Sequence, residues 1–352
     1  MTSPATLTEF LEFAGFEPRF FDMGRRITKI SKSLLFEIEM TLRPYPYPLQ
    51  RQAWFAILLQ EKTARQNPAV WFLRFPLDEQ GKLLQAARDD FMQQLMEQTA
   101  KNLSALEQGE RFSSAMEHNR YSFKPNQERR AVFHAKASSL LKRPASEHYT
   151  AALAYFRGEL GWEQWPRLPL QGIADLAVRA GEPEGHKVIV AAIPHLPDQP
   201  YSALCHALEN EEISPEIALA LSTRAEKIME ETPPDTAMIA STLRGISNSR
   251  SGNLKRALIT KVLKHPASED VEILAAIGGR AWESLADTGI RRLFLERLAV
   301  NSGGEEQFNY CMTDLLFMPG LRRPLLDSMR DPSRSEQLGR ALGALFQSLE
   351  GG

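Results

Sequence analysis

The chain is poor in cysteine and has no long apolar segment. It holds only two cysteines, Cys205 and Cys311, among 352 residues, too few for the disulfide framework of a secreted domain. The longest clean apolar run, 53–59, is far shorter than the roughly 20 residues that span a bilayer. Glu9 and Glu12 interrupt the first apolar stretch, which is unlike a signal peptide. These absences favour a cytoplasmic protein with no membrane partner.

The signatures of common enzyme and cofactor sites are also missing. The chain has neither Gly-x-Gly-x-x-Gly nor Gly-x4-Gly-Lys-Ser/Thr, and the glycine-flanked segment 245–252 has the wrong lysine spacing for a phosphate loop. No His-Glu-x-x-His or Cys-x-x-Cys occurs, so no metal ligand set is predicted. Cys205 and His206 are adjacent, and such neighbours point about 100° apart on a helix. We predict no cofactor, a buried thiol at Cys205 and a helix–helix loop at 245–252.

The charge is nearly balanced, with a formal net charge of −2, so no overall basic field attracts the chain to nucleic acid. Residues 1–150 hold 21 Lys and Arg against 17 Asp and Glu, whereas the remainder holds 21 against 27. Segment 118–143 concentrates cations against Glu128 alone, with Tyr121, Phe123 and Phe133 interleaved. Its cations are Arg120, Lys124, Arg129, Arg130, Lys136, Lys142 and Arg143. This segment is either a surface for nucleic acid or an acidic protein, or a solvated helix face around core aromatics.

A second candidate surface is the segment Pro44-Tyr45-Pro46-Tyr47-Pro48. Each residue before a proline is biased to extended backbone, so the segment is stiff. Two interpretations stay open. Tyr45 and Tyr47 form an interface with a partner protein, or they cover an adjacent small sheet from a rigid loop.

Residues 1–105 have the pattern of a small α+β domain. The expected elements are helices over 7–14, 33–42 and 83–103 and strands over 19–23, 26–30, 54–60 and 69–75. Segment 33–42 also alternates like a strand, but Ser31 and Ser33 offer N-caps and favour the helix. The first two strands form a hairpin whose turn, Asp22-Met23-Gly24, uses the left-handed freedom of Gly24. Asp78 and Glu79 are expected to cap a helix that begins near Gly81.

Residues 106–130 predict a basic polar connection, and residues 131–352 predict an α-helical repeat domain. Pro200, Pro233 and Pro266 lie 33 residues apart, which leaves room for two helices between each pair. The stretch 141–147 is repeated almost letter for letter at 263–269, and we expect the same local geometry in both copies, with serine as an N-cap. The pattern is typical of a HEAT- or tetratricopeptide-like solenoid, and an irregular helical bundle is the alternative.

Three segments carry a resemblance to a known family. They are Arg19-Phe20-Phe21-Asp22-Met23-Gly24-Arg25-Arg26, Pro44-Tyr45-Pro46-Tyr47-Pro48-Leu49-Gln50 and Trp71-Phe72-Leu73-Arg74-Phe75-Pro76-Leu77-Asp78-Glu79-Gln80-Gly81. They resemble a bacterial family described as a domain of unknown function, along most of the chain. The resemblance implies a bacterial cytosolic protein and implies no activity.

Together these patterns predict a mainly α protein that acts by binding rather than by catalysis. The leading hypothesis is a non-enzymatic adaptor that holds another protein on its helical array. The alternative is a nucleic-acid- or ribosome-associated factor that uses segment 118–143. A third hypothesis is an enzyme with a site near Arg74, Asp78 and Glu79.

Overall fold

The computed structural model describes residues 6–62, 68–101 and 119–350. They divide into two compact units, one comprising Met1–Pro125 with Phe317–Pro319 and the other Asn126–Leu316 with Gly320–Gly352. Of the predicted basic connection 106–130, residues 106–118 lie outside the described residues. None of the described helices combines the length and the apolar character needed to cross a membrane.

The first unit contains a four-stranded antiparallel sheet in the order β2-β1-β3-β4. Its strands are β1 (Phe16–Asp22), β2 (Thr28–Lys29), β3 (Gln52–Glu61) and β4 (Ala69–Pro76). The register places Phe20 opposite Ile57, and Ile57 opposite Trp71. The predicted hairpin is confirmed, and the strands predicted over 54–60 and 69–75 are β3 and β4, which pair with each other.

Among its described residues, the first unit also contains helices α1 (Leu7–Phe13), α2 (Lys32–Glu39) and α3 (Gln85–Lys101). The hydroxyl of Thr6 caps α1 by accepting the N–H of Glu9, and Ser31 caps α2 by accepting the N–H of Leu34. Aromatic rings from the sheet and α3 then pack edge to face, as Phe75 and Phe91 do at 5.5 Å between ring centroids. The helix predicted over 33–42 is confirmed, one residue earlier at its start.

Two details of this unit differ from expectation. Gly24 does not have a positive φ; its lack of a side chain is needed because a Cβ there would lie 3.3 Å from atoms of Leu49 and Trp54. Asp78 does not cap α3. Its carboxylate accepts the N–H groups of Gln80 and Lys82, which holds a turn, and α3 begins only at Gln85.

Tyr45 lies inside the first unit and completes a buried polar network. The Asp22 carboxylate is fully buried and accepts the N–H groups of Gly24, Arg25 and Arg26 at 3.1 Å each. The Tyr45 hydroxyl donates to the same carboxylate at 2.6 Å. Its side chain is fully buried, so Tyr45 has no surface with which to contact a partner, and the covering role is the one it fulfils. Tyr47 is half-buried and packs edge to face on Tyr45.

We therefore expect Tyr45→Phe to destabilise the protein. The change leaves one acceptor position of a buried carboxylate without its donor, and hydrogen bonds to charged groups contribute about 1.5–3 kcal/mol. Urea unfolding measures the difference, with Tyr310→Phe on a tyrosine that is 54% exposed as the control. Equal stability of Tyr45→Phe and the wild type would contradict this role.

The second unit is helical throughout its regular structure, with short 3₁₀ turns at Trp162–Arg167, Pro266–Glu269 and Trp282–Ala286. In chain order its helices are α4 (Gln127–Leu140), α5 (Tyr149–Phe156), α6 (Leu170–Val178), α7 (Pro183–Ala192), α8 (Asp198–Leu208), α9 (Pro215–Glu230), α10 (Thr236–Ile246), α11 (Gly252–Lys264), α12 (Val271–Arg280), α13 (Thr288–Ala299), α14 (Gly304–Leu316), α15 (Arg322–Met329) and α16 (Glu336–Glu350). The helices predicted after Pro200, Pro233 and Pro266 are confirmed as α8 to α13. The chain is thus mainly helical, with one small antiparallel sheet near its start.

These helices pack in two series. The first series, α4, α6, α8, α10 and α12, is formed by helices that contact one another in succession, and α5, α7, α9, α11 and α13 form the second in the same way. Helices of the two series also contact each other in pairs, such as α5 with α6 and α9 with α10. Within the first series α6 is deeply packed, because every residue from Gly172 to Ala177 is buried.

The two copies of the repeated stretch differ in geometry. At 141–147, Lys142 has a positive φ of 54°, and the Ser146 hydroxyl donates to Asp175 at 2.5 Å. At 263–269, a 3₁₀ turn forms and the Ser268 hydroxyl donates to the carbonyl of Leu263. Neither serine is the N-cap residue of the helix that follows, so the prediction of one shared geometry is wrong. The buried Asp175 is a tertiary partner that only the first copy meets.

Candidate functional site

The cations of segment 118–143 have different surroundings. In the first unit, Arg120 pairs with Asp90 at 2.6 Å and lies over the ring of Tyr121 at 4.9 Å, whereas Lys124 is exposed. Burial raises the pKa of Tyr121, which also donates its hydroxyl to Asp90. Arg120 thus belongs to a local surface network of this unit.

In the helical unit, two cations of segment 118–143 contact acidic residues of the same unit, and three are exposed to solvent. On α4, Lys136 contacts the carboxylate of Glu211 and the carbonyl of Asn210, both at 2.6 Å, and Arg129 lies 3.7 Å from Glu209. These two cations hold α4 against the end of α8. The cations that stay exposed are Arg130, Lys142 and Arg143.

Glu209 is the centre of an arginine cluster that the sequence pattern did not predict. Its side chain is 1% exposed and lies 2.7 Å from Arg244 and 3.4 Å from Arg280, as well as beside Arg129. Burial by itself raises the pKa of Glu209, but the guanidinium groups of Arg280, Arg244 and Arg129 outweigh it and lower the pKa to about 2. The cluster joins α4, α8, α10 and α12 through one carboxylate. It gathers three guanidinium groups around one buried carboxylate, which makes it a structural centre of the first series.

Next to this cluster lies a hydrogen-bonded chain of a carboxylate, an imidazole and a hydroxyl. His206 contacts Glu128 at 3.1 Å through Nδ1 and Ser202 at 3.5 Å through Nε2. The bond from His206 lowers the pKa of Glu128. The order of groups is that of nucleophilic catalysis. However, Ser202 lies inside α8, where the backbone N–H groups bond within the helix and provide no oxyanion site. Ser202 also bonds to Ser241 at 3.0 Å, so the chain joins α4, α8 and α10.

Cys205 is a core thiol, as predicted. It is fully buried, and burial raises its pKa to about 12. The thiolate is the reactive form of cysteine, and at this pKa Cys205 is a neutral thiol near pH 7, so it is unreactive. Cys311 is buried as well.

We expect neither cysteine to react with a small disulfide reagent in the native protein. Both thiols should react after unfolding in urea, because exposure then restores an ordinary thiol. The measurement is a spectrophotometric thiol titration with and without urea. Rapid reaction of one thiol in the native state would contradict the burial of that cysteine.

A basic groove runs between α11 and α13 on the second series. It is open, has a volume of about 740 Å³, and combines cations with an aliphatic floor. Its lining residues are Arg256, Ala257, Thr260, Lys261, Lys264, Asp287, Gly289, Ile290 and Leu293. The carboxylate of Asp287 is engaged by the N–H of Ile290 at 3.0 Å, as the N-cap of α13. The groove therefore offers three cations and one carboxylate that already caps a helix.

The sequence contains a signal for this groove outside segment 118–143, and the sequence-based prediction did not include it. Between Asp235 and Glu269 there are 33 residues without Asp or Glu, and this stretch holds six Lys and Arg. It lies in the acidic part of the chain, where the average charge conceals it. Folding then places Arg256, Lys261 and Lys264 along the groove side of α11.

A second open cleft, of about 820 Å³, lies between α5 and α7 and differs in character. Its wall is aromatic, with Trp162 stacked on His195 at 5.8 Å between ring centroids. Arg157 and Glu184 form an ion pair at its rim, so these two charges compensate each other. The α11–α13 groove is the more strongly charged of the two.

Within 6–62, 68–101 and 119–350, no group of three or more His, Cys, Asp and Glu is arranged to hold a metal ion. No curated protein and no solved structure matches the chain. The model of one family, protein of unknown function DUF3549, matches residues 3–346, and the chain therefore belongs to the DUF3549 family.

Proposed function

We propose that this protein is a non-enzymatic adaptor that holds a partner protein on its helical unit. The observation that carries the proposal is the α11–α13 groove, which is open and basic and has an aliphatic floor. Such a groove suits a polypeptide segment, because docking needs exposed apolar area together with charges that orient the partner.

The packing of the helices supports the same function. Successive helices alternate between two series, which we interpret as stacked helix pairs of a solenoid. In a solenoid, each added pair extends a groove-bearing surface without closing a deep cavity, and such surfaces bind other macromolecules. Nucleic-acid binding through segment 118–143 has less support, because Arg129 and Lys136 already contact carboxylates of α8.

The experiment is isolation of the tagged full-length chain from its own cells after mild cross-linking. The proposal predicts one protein partner in stoichiometric amount, retained after nuclease treatment. Its binding should survive Arg130→Glu with Lys142→Glu, which changes the predicted basic segment alone. Recovery of the chain without any partner, or with nucleic acid as the essential component, would contradict the proposal.

A further inference from the structure

We propose that the α11–α13 groove binds an acidic, amphipathic peptide segment of the partner protein. This inference rests on the adaptor function proposed above and specifies the chemistry of the partner. It follows from the charge of the groove, the spacing of its cations and the composition of its floor.

The cations form a stripe along α11. Lys261 and Lys264 follow Arg256 by five and eight residues, so the stripe extends about 12 Å along the helix axis. Carboxylates three or four residues apart on an acidic helix recur about every 4.5–6 Å along its axis, so two or three of them fit within a stripe of this length. A segment with several Glu or Asp on one face therefore fits the stripe.

The cations are available to a ligand. The pair of Lys261 with Glu226, at 3.2 Å, is half exposed on both sides, and exposed pairs contribute little. Arg256 bonds to the neutral side chain of Asn253 at 2.7 Å. Among the residues that the structure describes, Lys264 has no ion-pair partner. A carboxylate ligand therefore replaces weak contacts or none.

The floor of the groove selects a peptide over a nucleic acid. Ala257, Ile290 and Leu293 line it, and its described lining contains no aromatic ring on which a base could stack. Single-stranded nucleic acids gain much of their affinity from such stacking. Aliphatic side chains of a peptide, in contrast, lose water against this floor. The opposite faces of the ligand are thus acidic and aliphatic.

The test uses fluorescence anisotropy with the full-length protein and labelled probes. The first probe is a peptide of about 14 residues with Glu on one helical face and Leu on the other, roughly 20 Å long as a helix. The second carries Ser in place of each Leu, and the third is a single-stranded oligouridylate. We expect the first probe to bind most tightly and the serine peptide to bind more weakly.

The decisive variant is Arg256→Glu with Lys264→Glu. It should weaken binding of the acidic peptide at least about tenfold, since each change turns attraction into repulsion. Arg130→Glu with Lys142→Glu alters the same net charge and should leave affinity within about twofold. All four side chains are exposed, so circular dichroism and thermal unfolding should confirm that both variants fold.

Two outcomes of the anisotropy measurements overturn the inference while the adaptor function stands. One is equal affinity of the wild type and Arg256→Glu/Lys264→Glu for the acidic peptide. The other is tighter binding of the oligouridylate, lost in the same variant, which assigns the groove to nucleic acid. If the cellular partner binds this variant as well as the wild type, the groove assignment fails while the adaptor function stands. If neither a partner nor a peptide binds, both proposals fail.

Discussion

Glu209→Gln is expected to lower the free energy of unfolding by about 3–5 kcal/mol, the cost of leaving buried charges without their counter-charge. Glu209 is the carboxylate that Arg129, Arg244 and Arg280 share, and each of these side chains is at most about a quarter exposed. The neutral amide keeps the shape of the side chain and removes only its charge. Urea unfolding at pH 7 measures the difference.

Glu212→Gln is the matched control from the same turn. Glu212 and its partner Arg250 are both more than 60% exposed, so its loss should change stability by less than about 1 kcal/mol. Equal effects of the two substitutions would show that the cluster around Glu209 does not stabilise the helical unit.

The stability difference between the wild type and Glu209→Gln should depend on pH. The pKa of Glu209 is about 2 in the folded protein, below its ordinary value of 4.5. A lowered pKa adds stability that is complete above pH 4.5 and disappears as the pH falls through 2. The stability gap between wild type and Glu209→Gln should therefore shrink by about 2 kcal/mol from pH 7 to pH 3. A gap that widens on acidification would have the wrong sign.

Gly172→Ala should also destabilise the protein strongly. Gly172 lies where α6 crosses the start of α5, and a Cβ there would lie 2.7 Å from the carbonyl oxygen of His148 and 2.9 Å from the Cβ of Ala152. Backbone must move to relieve these contacts, and overpacking of this kind costs about 1–3 kcal/mol. Thermal and urea unfolding should both show the loss.

Gly343→Ala, in contrast to Gly172→Ala, is expected to raise the stability of the protein. Gly343 lies within α16, and nothing approaches the position of its Cβ within 4 Å. Alanine is a better helix former than glycine by about 1 kcal/mol, so this variant should gain stability. A stabilising Gly172→Ala would mean that α5 and α6 do not pack as described.

Local patterns were sufficient to predict most of the elements. Apolar periodicity and caps such as Thr6 and Ser31 depend on residues a few positions apart, and the ends of these helices were placed within three residues. Short apolar runs rich in aromatic and branched residues likewise located β3 and β4. The repeated stretch at 141–147 and 263–269 shows the limit of such patterns. The two copies differ only at Arg143 and His265, yet Ser146 in the first meets the distant Asp175, and His265 in the second accepts the N–H of Ala267.

The candidate site depends on contacts between residues far apart in sequence. Glu209 meets Arg129 and Arg280, 80 and 71 residues away, and no pattern along the chain specifies such partners. The prediction for segment 118–143 rested on its number of positive charges. That number does not show which face of α4 is buried, and Arg129 and Lys136 lie on the face that contacts Glu209 and Glu211. The acid-free stretch 236–268 was visible, but only the packing of α11 against α13 turns part of it into a groove.

Hydrogen–deuterium exchange of the full-length protein, free and bound to its partner, tests the docking function most directly. Binding in the groove predicts slower exchange in Gly252–Lys264 and Thr288–Ala299, with Gln127–Leu140 unchanged. Protection confined to Gln127–Leu140 or to the sheet, with α11 and α13 unaffected, would contradict it.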